Sequence, residues 1–192
     1  MAIASYRYRE IEETIVEFLS DFGRVSYPFD IFGFLLSLGI RLIPYSNLPL
    51  ENRRALMSAF PDAVTPRPQN FDVRKTTIFY NDIGKDAERV RFTLAHELAH
   101  LILEHPSDDE PFESEANYGA GYILAPDPIV AKFSKRDATV IKHDFSLSDT
   151  CAQVALRHTC NRLRCGKPAA PYEKEIIKLC DWQKGGVAYE SA

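Results

Sequence analysis

Two histidines and a glutamate in the run His96-Glu97-Leu98-Ala99-His100 carry the most legible chemistry in this chain of 192 residues. Imidazoles four residues apart lie on one face of a helix, about one turn from each other, so both can reach a single metal ion. Glu97, directly after the first histidine, then stands where it can take a proton from an attacking water. Zinc peptidases use this arrangement, with the histidines holding the metal and the glutamate acting as general base.

The surrounding residues say which elements must position these groups. Thr76-Thr77-Ile78-Phe79-Tyr80 is a β-branched and aromatic run closed by Asn81, Asp82 and Gly84, which predicts a strand and a turn. Asp86 and Glu88 place negative charge where a helix N-terminus favours it. Val90, Leu94, Leu98, Leu101 and Ile102 follow at helical spacing. The His-Glu-x-x-His run is therefore expected on a buried helix behind a strand.

A catalytic zinc needs a third protein ligand and an open position. The extended motif, with a third histidine six residues after His100, is excluded because that position is Pro106. His105 is off that spacing, at the expected helix end, and reads as solvated. The other common solution is a glutamate from a following helix, and Phe112–Leu124 has a helical pattern rich in small residues that permit close packing. Glu113 and Glu115 are two apart and face different sides, so they are not joint ligands. Glu113 is preferred because Asn117 follows it by one turn and could orient a histidine's second nitrogen. Glu115 is the alternative, although a glutamate in an acidic stretch is usually just solvated.

The run Arg91–Leu103, followed by Glu113-Ser114-Glu115-Ala116-Asn117, Ala120, Ile123-Leu124 and Pro126, resembles the ImmA/IrrE-type metallopeptidases, small bacterial and phage zinc proteins. Weaker similarity extends through Phe29-Asp30-Ile31, Leu38-Gly39-Ile40 and Phe145-Ser146-Leu147-Ser148. The resemblance implies His96, His100 and Glu113 as zinc ligands and Glu97 as general base, in agreement with the geometric preference. Gly119, Ala125 and Ala99 depart from the family's usual residues, but these are packing changes that remove no chemical group. The implied fold is α+β: a zincin-like core with a small antiparallel-type sheet, two metal-bearing helices and a helical C-terminal region. Residues 1–126 would form the core, and residues 127–192 would pack on it within one compact domain. By the same resemblance, the strand Thr76–Tyr80 is expected to pair with an extended substrate. Tyr118, Tyr122, His143 and His158 are the candidate oxyanion donors.

Elsewhere, helices are expected at 6–22 and 28–39, strands at 40–44 and 55–60, and a proline-rich loop at Pro61–Pro68. With 45% apolar residues the chain can bury a sizeable core. It begins without a signal-peptide pattern, and no apolar run approaches the roughly 20 residues needed to span a bilayer. A cytoplasmic protein with no membrane partner is the expectation.

The net charge of −4 argues against nucleic-acid binding by the whole protein. Residues 129–168 nevertheless hold eight Lys/Arg against three Asp/Glu, and Phe145–Arg157 could form part of a helix-turn-helix. A solvated basic face on packed helices explains the same residues. All four cysteines, Cys151, Cys160, Cys165 and Cys180, lie in this region. No Cys-x-x-Cys pair marks a second zinc with His158, and reduced packed thiols are expected.

Two function classes follow. One is a zinc-dependent endopeptidase that cuts a specific regulatory protein, such as a transcriptional repressor. The other is a zinc-stabilised interaction module, for example a toxin–antitoxin-like or phage regulatory partner, without proteolysis. Glu97 favours the enzyme, because a purely structural site needs no base beside its ligands.

Overall fold

Apolar residues four apart place the first helix. Ile11, Ile15 and Leu19 are fully buried along one side of α1 (Ser5–Ser20). A computed structural model describes residues 3–66, 76–166 and 168–183. After α1 come β1 (Val25–Tyr27), α2 (Ile31–Ser37), β2 (Arg41–Pro44), α3 (Leu50–Ala59), β3 (Ala63–Val64) and β4 (Thr77–Tyr80). The rest of the described chain is α4 (Ala87–Ile102), α5 (Phe112–Leu124), α6 (Asp127–Phe133), α7 (Ala138–Phe145), α8 (Asp149–Arg164), α9 (Pro171–Leu179) and β5 (Cys180–Trp182). The fold is α+β, mostly helical with two small sheets.

The larger sheet has the order β2-β4-β3, with β2 parallel and β3 antiparallel to β4. It is mixed rather than simply antiparallel, because the connection from β2 returns through α3 and lays only β3 down as a hairpin partner. Thr77–Tyr80 is the central strand, so among the described residues the edges of this sheet are β2 and β3, not the strand expected to pair with substrate. The expected strand at 55–60 is instead the end of α3, where Ala55, Leu56, Met57 and Ala59 follow their high helix propensity. Two residues of the expected proline-rich loop form β3, and its last two, 67 and 68, lie outside the described residues.

A second sheet pairs β1 with β5 in parallel, Val25 against Cys180 and Tyr27 against Trp182. It joins an early segment to the end of the described chain, a link no local pattern announces. Arg91, almost fully buried on α4, ties the segment after β1 to the end of α7. Its guanidinium donates to the carbonyls of Phe29 at 2.9 Å and Phe145 at 3.1 Å, and to that of Ser146.

The middle of α5 packs closely on the last turn of α4 because Gly119 and Ala99 are small. A β-carbon at Gly119 would lie 3.0 Å from Ala99 Cβ and 3.4 Å from Ile15 Cδ1. This approach sets how the first turn of α5 lies against the last turns of α4. In the C-terminal region Ser148 caps α8, accepting from the Cys151 N–H at 3.3 Å. Ala152 and Ala155 turn inward there. Among the described residues, no helix is long and apolar enough to cross a membrane.

Candidate metal centre

Three side chains from α4 and α5 converge on one point. The Nε2 atoms of His96 and His100 are 3.0 Å apart. Glu113 brings Oε1 to 3.0 Å from His100 Nε2 and Oε2 to 3.5 Å from His96 Nε2. Among the described residues, this trio is the one His/Cys/Asp/Glu group whose donor atoms gather this closely. Glu115, the alternative, is not part of it. The His100 side chain is 1% exposed, whereas His96 is 15% and Glu113 34% exposed, so the open side lies toward the latter two.

The donor set suits a metal ion on two grounds. Donors about 2.0–2.1 Å from a tetrahedral zinc stand about 3.3–3.4 Å from each other, close to the observed spacings. The proton positions point the same way. His96 Nδ1 lies 3.2 Å from Asn117 Oδ1, which can only accept, so Nδ1 carries the hydrogen and Nε2 presents a lone pair. An imidazole lone pair beside a carboxylate repels unless a cation joins them.

His100 has a different support. At the C-terminus of α4 the His105 N–H donates to the His100 carbonyl at 3.1 Å and the Glu104 N–H to that of Leu101 at 3.3 Å. Glu104 takes the left-handed conformation, φ 53°. These are the paired bonds of a Schellman cap, built on a residue other than the usual glycine. The reversal folds His105 under His100, with Nδ1 of one ring 3.0 Å from Nδ1 of the other. His105 is therefore buried rather than solvated, and Phe112 packs on its far side with ring centroids 4.9 Å apart.

His105 Nε2 lies 3.2 Å from Glu115 Oε2. Glu115 is buried too, because the start of α5 packs on α1, where Arg7 grips both carboxylate oxygens at 2.9 and 2.7 Å. The Arg7 hydrogen bonds, helped by His105, hold the Glu115 carboxyl below the usual carboxylate range despite its burial.

Glu97, next to His96 on α4, stays out of the trio and is 8% exposed. The buried Thr65 hydroxyl, just past β3, donates to its Oε2 at 2.5 Å. Thr65 was invisible in the sequence, one threonine in a proline-rich segment. Of the candidate oxyanion donors, Tyr118 gives its hydroxyl to Glu12. His143 is largely exposed beside Asp144. Tyr122 and His158, with the ring of Tyr118, line a cavity of about 320 Å³ between α5 and α8 that reaches Asn117 and Phe92. Its walls are mainly apolar, and the buried Tyr122 hydroxyl has no hydrogen-bond partner among the described residues. The four cysteines are free thiols and form no metal-ligating group among the described residues.

A two-histidine, one-carboxylate centre on adjacent helices, with a buried glutamate next to the first histidine, defines the metallopeptidase class. The sequence profile of the IrrE N-terminal-like peptidase domain matches residues 59–157, just over half of the chain. The chain belongs to this ImmA/IrrE family. No curated protein matches it significantly.

Proposed function

We propose that the protein is a zinc-dependent endopeptidase that cuts a specific regulatory protein, such as a transcriptional repressor, in the cytoplasm. The observation that carries this reading is the gathering of His96, His100 and Glu113 within 4.8 Å of one another, beside a buried Glu97 that is left out of the group. Together these residues form the donor set and base of a zincin-like core. His96, His100 and Glu113 would hold the metal. When bound, zinc polarises the scissile carbonyl and makes water acidic enough to be deprotonated near neutral pH.

The other roles fall to the chain itself. Glu97 accepts the proton of the attacking water and passes it to the leaving amine, and Thr65 fixes the carboxylate for that task. Asn117 aims His96. The apolar cavity beside Asn117 suits a bulky apolar substrate side chain. Membership in a peptidase family supports hydrolysis over pure binding. Unrestricted proteolysis would harm the producing cell, which supports a narrow substrate range. The net charge of −4 gives no reason to add nucleic acid as a partner.

The test compares wild type with Glu97→Gln in extract of the source cell, mapping new protein N-termini by mass spectrometry. Glutamine leaves the three donors in place and removes the base. New termini with wild type alone establish the peptidase and name its substrate. Identical patterns with zinc bound to both proteins identify the interaction module instead.

A further inference from the structure

We propose that His105, Glu115 and Arg7 form a directed hydrogen-bond chain that aims His100 at the metal, so that the N-terminal helix α1 sets metal affinity. This rests on the reading of His96, His100 and Glu113 as a metal centre. The contacts are continuous: His100 Nδ1 to His105 Nδ1 at 3.0 Å, His105 Nε2 to Glu115 Oε2 at 3.2 Å, and Glu115 to Arg7 through two bonds at 2.9 and 2.7 Å. Both imidazole side chains are almost fully buried, 1% and 2% exposed, so water does not take over either bond.

Chemistry fixes the direction. Arginine only donates, so Glu115 accepts from it as a carboxylate. A carboxylate only accepts, so His105 Nε2 carries a hydrogen. In neutral His105, Nδ1 is then the acceptor, and the hydrogen between the rings belongs to His100 Nδ1. His100 Nε2 is left as a lone pair aimed at Glu113 and His96. The chain therefore selects the one His100 tautomer that can ligate, and its burial locks the ring plane. His96, with a single amide partner and more exposure, is held less firmly.

Arg7 lies on α1, outside the family-matched residues 59–157. It stands 108 positions from its partner Glu115. Its nearer partner Glu10 is exposed and takes only one contact, at 3.2 Å. The bidentate grip on Glu115 thus brings the N-terminal helix to the centre from outside the matched residues.

The test is zinc affinity of the full chain, measured by competition with a chromophoric chelator, alongside the thermal stability of the zinc-free protein. Glu115→Gln, which keeps shape, and His105→Ala are each expected to weaken zinc binding by about ten- to hundredfold. Arg7→Met is expected to weaken it less, and Arg9→Met, which breaks only an exposed pair with Glu13, not at all. The decisive reading is the double variant. If Arg7 acts through His105, Arg7→Met has no further effect on zinc affinity in the His105→Ala background, whereas a general structural defect adds. Nitrogen-15 spectra of zinc-loaded wild type give a second readout that needs no variant: His100 protonated at Nδ1 and His105 at Nε2. Unchanged affinity in Glu115→Gln and His105→Ala, additive effects, or the opposite tautomers overturn the chain while leaving the metal centre standing. Failure of wild type to bind zinc overturns both.

Discussion

The Thr65 hydroxyl donates to Glu97 Oε2, joining the segment after β3 to the glutamate beside His96. The bond fixes one carboxylate oxygen and leaves Glu97's position dependent on β3. Thr65→Val keeps the shape and deletes the donor. It is expected to lower kcat about tenfold, the worth of one hydrogen bond to a charged group, with KM and zinc affinity unchanged. Thr65→Ser should restore most of the rate. Steady-state kinetics on the mapped substrate check this, and a pure KM effect would assign Thr65 to substrate contact instead.

The approach of Gly119 to Ala99 sets the spacing of α5 on α4. Gly119→Ala must push the helices apart or crowd Ile15, and it is expected to destabilise by about 1–3 kcal/mol despite alanine's better helix propensity. Ala99→Gly in the same chain should recover part of that loss, a coupling that a double-mutant cycle in urea measures. Simple additivity would show that the contact is slack.

Gly121 sits two residues further along α5, where a β-carbon would meet nothing within 4 Å, and it lines the cavity beside Asn117. Gly121→Ala should therefore stabilise the protein by about 0.5–1 kcal/mol. Gly121→Leu should fill the cavity and slow cleavage without weakening zinc binding. Full activity in the leucine variant would mean that the substrate does not use this space.

Asp127 begins α6 and lines the same cavity. Burial first, and then the nearby Glu12 carboxylate, push its carboxyl up from 3.8 to about 8, with Glu173 adding to the rise and Arg162 opposing it. The native state thus holds this proton more tightly than the unfolded chain. Its contribution is fully present below about pH 4 and is lost as pH rises toward about 8, by at most about 1.4 kcal/mol per pH unit. Asp127→Asn should flatten the decline of Tm over that window and stabilise the protein above it. An unchanged slope would place the titration elsewhere, Glu12 being the next group that burial raises.

The sequence made α4 and α5, the helices that carry His96, His100 and Glu113, legible because they combine apolar periodicity with side-chain spacings that only a helix brings together. His96, His100 and Glu113 gather in space with Asn117 behind His96; the sequence preferred Glu113 to Glu115 through Asn117 one turn on and through the family resemblance. What stayed hidden depends on long-range packing. His105 reads as solvated because the residue that turns the chain under His100 is Glu104, where a glycine would have announced the cap. Glu115 reads as solvated because its partner Arg7 comes from the far end of the chain. Thr65 and the β1–β5 pairing likewise depend on neighbours no local window contains. The segment 55–60 is a different case: it is short and apolar enough for a strand, but Ala55, Leu56, Met57 and Ala59 favour a helix.

The most direct test of the centre itself is zinc K-edge X-ray absorption on the full chain loaded with one equivalent of zinc. The expected spectrum shows about four nitrogen and oxygen donors near 2.0–2.1 Å with imidazole scattering, unchanged in Glu97→Gln and lost in His100→Ala. A sulfur shell near 2.3 Å would place the zinc on the C-terminal cysteines and contradict the account.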